Sequence, residues 1–119
     1  MIKTTVIGQC TVLHAQGRFD GPRGEEIAMQ IGDIAPRTPV LCLDFSDVDF
    51  IDSAGLGKLV SAVKVSRQNA CRLILCHLSA QIQLILEIAQ LERVFEIYDT
   101  YEEVQEAINP ENEPHLSVA

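Results

Sequence analysis

The chain has 119 residues, 47% hydrophobic and 22% charged, which is enough for one globular core and too little for two domains. Its net charge of −8 repels the phosphates of nucleic acid and anionic lipid, so neither is expected as a partner, and no apolar run approaches the roughly 20 residues of a membrane span. Met1-Ile2-Lys3-Thr4-Thr5 lacks the layout of a signal peptide, and a cytoplasmic location is expected.

Ile2–Ile7 and Cys10–Gln16 are β-branched or alternating runs on either side of Gly8-Gln9, the pattern of a β-hairpin. Gly17-Arg18-Phe19-Asp20-Gly21-Pro22 then reads as a breaker cluster. Pro22 is placed to open a helix that Asp20 or Gly21 caps. Ile27, Ile31 and Ile34 fall on one face of that helix, and Pro36 and Pro39 end it. Val40–Phe45 is nearly continuous apolar sequence, as expected of a central strand covered on both faces.

The stretch Asp52-Ser53-Ala54-Gly55-Leu56-Gly57 follows, and it opens an amphipathic run in which Leu56, Leu59, Val60 and Val63 face inward. A strand must end before it and a helix begin in it. Ser53 is therefore expected to cap the helix, at a terminus whose free N–H groups and positive dipole end also suit a phosphate. Gly55 and Gly57 are expected to leave the surface beside Ser53 without bulk.

Arg72–His77 is a second buried strand, and Ser79 caps a helix over about 80–91. Ile82, Ile85, Leu86 and Ala89 form its core stripe. Ile88 and Leu91 are expected to widen that stripe, whereas Leu84 is expected to be exposed on a contact surface. Val94–Tyr98 is a short last strand. Thr100-Tyr101-Glu102-Glu103 has the capping-box form, and Val104, Ala107 and Ile108 supply the buried side of a final helix. Residues 1–109 thus form a single domain, and the Pro- and Glu-rich residues 110–119 read as a loose tail. The order β β α β α β α β α calls for an α/β fold with a mixed, mostly parallel sheet, an N-terminal antiparallel strand and about four helices. Such sheets place their sites at the carboxyl ends of strands, where Ser53 lies.

Several kinds of chemistry fail on spacing. Gly55-Leu56-Gly57 begins a dinucleotide fingerprint that Val60 breaks, and Asp52 and Leu59 stand where a P-loop around Lys58 needs Gly and Ser or Thr. Ser53 lacks the G-x-S-x-G frame, and nothing pairs it with His14, His77 or His115, so no catalytic residue is assigned. Asp44, Asp47, Asp49 and Asp52 do not match the EF-hand register and read as a half-buried turn with its acids in water. Cys10, Cys42, Cys71 and Cys76 form no C-x-x-C pair and are expected to be buried free thiols, with Cys71 and Cys76 facing opposite sides of the sheet. No metal and no cofactor is expected.

What remains is Ser53 as a substrate. Leu43-Asp44-Phe45 leading through Phe50-Ile51-Asp52-Ser53-Ala54-Gly55-Leu56-Gly57, together with Gly17-Arg18-Phe19-Asp20, resembles the STAS-domain anti-sigma factor antagonists of bacterial partner-switching modules. The resemblance covers about Cys10 to Ile108. It implies that Ser53 is phosphorylated by a serine kinase that doubles as an anti-sigma factor, that a metal-dependent serine phosphatase reverses this, and that Asp20 and Asp52 flank the site. Asp52, Ala54, Gly55, Leu56 and Gly57 would then meet the partner, with Ala54 where the family usually has Ser or Thr. A non-enzymatic, phosphorylation-switched monomer or weak dimer is the reading this implies. The rival reading is a non-switching module of a signalling assembly or transport system that binds a protein, lipid or nucleotide, with Ser53 only capping its helix.

Overall fold

The computed structural model describes residues 3–109. Strands β1 (Lys3–Ile7), β2 (Cys10–Phe19), β3 (Val40–Ile51), β4 (Arg72–Cys76) and β5 (Glu96–Tyr98) form one sheet in their chain order. Only β1 and β2 are antiparallel; β2–β3, β3–β4 and β4–β5 are parallel. Helices α1 (Gly21–Ile34), α2 (Ser53–Gln68) and α3 (Ala80–Ile88) make the crossovers, and α4 (Tyr101–Ile108) closes the described chain.

The consecutive strand order decides which face each helix covers. Right-handed crossovers that all step in one direction return their helices to the same side of the sheet. Ile27 and Ile31 of α1, Leu59, Ala62 and Val63 of α2, and Ile82 and Leu86 of α3 accordingly share one core with Leu13, Leu41, Leu43, Leu73 and Leu75. The other face of the same strands carries Cys10, Val12, Val40, Cys42, Ile74 and Cys76, and Val104 and Ile108 of α4 cover it. Both faces of β3 are thus buried, as its apolar run requires. All four cysteines are buried and free, with Cys71 and Cys76 in opposite cores.

The hairpin forms as expected: Ile7 pairs with Cys10 across a two-residue turn, and Gly8 takes φ +61° at its first position. Two expected loops are instead strand. β2 runs through the breaker cluster to Phe19, because Gly17 at φ +73° absorbs a register shift and lets the strand resume. β3 likewise continues to Ile51, pairing with that extension, so the half-buried turn expected after Phe45 does not exist. Val48 and Ile51 face the core, and Asp47 and Asp49 face water. Asp44 does not.

α3 is shorter than the periodicity predicts. It stops at Ile88 because Gln90 turns left-handed at φ +59° and the Leu91 N–H bonds back to the Leu86 carbonyl at 2.8 Å. Ile88, expected in the core, is 73% exposed, since the helix ends there and β5 is only three residues long. Ala89 is also exposed, while Leu91 packs partly buried against the core. Leu84 is exposed as expected. The expected tail, with His115, lies outside the described residues.

Candidate functional site

The junction at the carboxyl end of β3 is built by two aspartates. Asp52 is still extended, and its Oδ1 accepts the Gly55 N–H at 2.7 Å while its carbonyl accepts the Leu56 N–H at 2.9 Å. Asp52 is therefore the N-cap of α2, not Ser53. The reason is positional: a cap must keep non-helical backbone, and Ser53 is already the first helical residue. Asp20 does the same for α1, with its Oδ1 on the Arg23 N–H at 3.0 Å and its carbonyl on the Gly24 N–H at 2.7 Å. Because Phe19 pairs with Ile51, the two capping residues follow neighbouring strand ends. Two carboxylates thus sit at two positive helix termini, a favourable placement for each.

Ser53 is exposed beside them, with its hydroxyl free of capping duty. The two glycines after it have different jobs. A Cβ on Gly55 would lie 1.9 Å from the Phe19 carbonyl oxygen, so Gly55 lets the start of α2 press against the end of β2. It does not open the surface. Gly57 does, because a Cβ there would meet nothing within 4 Å. Ala54 is exposed and lies against Gly21, and Leu56 is half-buried on the core.

An apolar strip adjoins this acidic edge. Phe50 is 38% exposed and carries the Arg18 guanidinium 4.2 Å above its ring. Phe50, Ile51, Leu84 and Ile85 line a groove of about 290 Å³ between β3 and α3. Leu84, predicted as a contact residue, forms one wall of it. Cations near the junction are already engaged: Lys58 pairs with Glu25 at 3.0 Å, and Arg23 donates to the Gln16 carbonyl at 3.1 Å.

A second polar cluster lies on the α4 side of the sheet, and sequence reasoning missed it. Asp44 is 4% exposed, and its Oδ2 accepts from His14 Nδ1 at 3.0 Å and from the Tyr101 hydroxyl. Its Oδ1 accepts from His77 Nδ1 at 3.0 Å and from the Ser46 N–H at 2.9 Å. Burial pushes this carboxyl up, but hydrogen bonds from Tyr101, Ser46 and His77 outweigh it and hold it below its usual range. Burial and the Asp44 charge raise the Tyr101 phenol well above its own. The signal available in the sequence was an acid inside an apolar run with a histidine in each adjacent strand region.

The STAS domain family model matches residues 1–107. An anti-sigma-B factor antagonist of Listeria monocytogenes is 40% identical over 58 residues, 49% of this chain and 51% of that protein. The match thus spans about half the length of this relative. An anti-sigma F factor antagonist of Paenibacillus polymyxa is 22% identical over 74% of this chain and 77% of its own. Among solved structures, a putative anti-sigma factor antagonist of Thermotoga maritima superposes with a TM-score of 0.79 at 21% identity, over 88% of this chain and 92% of that one. At that identity the likeness is one of fold.

Proposed function

Because the chain belongs to the STAS domain family, we propose that it is a non-enzymatic anti-sigma factor antagonist whose binding to a serine kinase of the anti-sigma type is switched by reversible phosphorylation of Ser53. The observation that carries this reading is an exposed serine at the first position of α2, beside the open surface at Gly57 and freed from capping by Asp52. The curated relatives are antagonists by name, and the switching step is an inference from the site.

The site's electrostatics favour a charge that acts on the partner. A phosphoserine adds roughly −1.5 to −2 charge at neutral pH. Asp52 already occupies the Gly55 N–H, and Asp20 and Asp52 are both carboxylates, so the phosphate would join an acidic edge of an acidic protein. It would be presented outward, leaving the fold unchanged. A partner packed closely over Gly57 and against Phe50 and Leu84 would have to desolvate that charge. A penalty of ~1.4 kcal/mol weakens binding tenfold, and burying an unpaired charge costs several times as much. A metal-dependent serine phosphatase would restore the binding form, and the site of action would be the cytoplasm. Among the described residues no helix is long and apolar enough to cross a membrane.

The test is binding of the cognate kinase to wild type, Ser53→Ala and Ser53→Asp, alongside mass spectrometry of the protein from its host. Ser53→Ala should bind as wild type does, and Ser53→Asp at least about tenfold more weakly. Equal binding by both variants, with no phosphate on Ser53, would leave the non-switching module as the better account.

A further inference from the structure

Cys76 and His77 are consecutive, and consecutive residues of a strand point to opposite faces of a sheet. Here they do not. β4 ends at Cys76, and His77 takes φ +59°, a conformation few non-glycine residues adopt. That turn brings the imidazole back over the face on which Cys76 already lies, with Nδ1 3.0 Å from Asp44 Oδ1. The Cys76 sulfur, a carboxylate oxygen of Asp44 and an imidazole nitrogen of His77 all lie within 4.8 Å of one another. Sulfur, nitrogen and oxygen donors from Cys, His and Asp are the three kinds that zinc uses, at 2.0–2.3 Å from the ion, so modest contraction would complete the coordination.

We propose that Asp44, Cys76 and His77 form a binding site for a divalent transition metal of the zinc type, with water as the fourth ligand. Charge balances: a dipositive ion with one carboxylate and one thiolate is neutral, as a site with two buried ligands requires. Protons balance as well. The Cys76 thiol releases one proton, and His77 keeps its single proton by moving it from Nδ1 to Nε2. Asp44 would bind through Oδ1, while His14 and Tyr101 hold Oδ2 and fix the carboxylate's orientation. Cys42 Sγ lies 3.0 Å from Cys76 Sγ, close enough for its thiol to donate a hydrogen bond to the Cys76 thiolate once the ion is bound. His77 and His14 are partly exposed, which gives the ion a way in.

The experiment titrates the full chain, purified without metal, with Zn²⁺ against a chromophoric chelator and with Co²⁺ by visible absorption. Wild type should bind one ion per chain, and the Co²⁺ form should show d–d bands of a four-coordinate ion with sulfur-to-cobalt charge transfer. His77→Asn keeps a residue that tolerates the left-handed backbone and should lower affinity at least about tenfold, and Tyr101→Phe should lower it by about tenfold. Cys76→Ser should abolish the charge-transfer band, and Cys71→Ser, in the opposite core, should leave it unchanged. No binding by folded wild type, or equal affinity for wild type and folded His77→Asn, would overturn the proposal. So would cobalt spectra without a sulfur band.

Discussion

Substituting alanine at Gly55 and at Gly57 separates what the fold needs from what a partner needs. A Cβ at residue 55 would sit 1.9 Å from the Phe19 carbonyl oxygen and 2.7 Å from its carbon. An ordinary C···O approach is about 3.3 Å, so the first turn of α2 must move by more than an ångström. That movement strains the Asp52 N–H bond to the Phe19 carbonyl and the 2.7 Å cap from Asp52 to Gly55. Overpacking costs about 1–3 kcal/mol and a damaged cap about 0.5–2, while alanine returns about 1 through helix propensity. A net loss of roughly 0.5–4 kcal/mol follows, centred near 2, which at about 4 °C per kcal/mol for a domain of this size lowers Tm by roughly 2–16 °C. Gly57→Ala meets open space and should gain up to about 1 kcal/mol from the same propensity term. Urea and thermal unfolding of the three proteins, followed by circular dichroism, give the answer directly. A Gly55→Ala protein as stable as wild type would refute the packing argument. A Gly57→Ala protein that is stabilised yet binds the proposed kinase partner weakly would identify Gly57 as a point of close approach.

Asp52→Ala removes the cap of α2 and should cost about 0.5–2 kcal/mol in urea unfolding, whereas Ser53→Ala, outside the cap, should stay within about 0.5 kcal/mol. Leu84→Glu should leave stability within the same margin and weaken binding of the proposed kinase partner in a pull-down or calorimetric titration, because the residue is 55% exposed on the groove beside Phe50. Burial pushes the Glu96 carboxyl up, but Arg72, which it pairs with through both oxygens, and Tyr98 hold it below its ordinary 4.5. A lowered folded value means that this contribution is full above 4.5 and is lost as pH falls through the folded value. Glu96→Gln should therefore be less stable than wild type at neutral pH, and the gap in Tm should close in acid. A gap that stays constant into strong acid would count against the ion pair.

Much of this protein is decided locally. The hairpin at Gly8-Gln9, the capping box at Thr100, the Ser79 cap and the apolar run of β3 each specify an element within a few residues, and the structure has each of them. The placement of Ser53 after the central strand follows from the same local patterns. Tertiary structure decided the rest. Which residue caps α2 depends on where β3 releases the helix, and β3 runs on to Ile51 because the extended β2 pairs with it. Whether Gly55 is open or packed depends on a carbonyl 36 positions earlier in the chain. Ile88 matches the helical period yet faces water, because periodicity does not say where a helix stops. The grouping of Asp44 with His14, His77 and Tyr101 needs strand register, a left-handed turn and the docking of α4 together. None of these is a property of the local sequence.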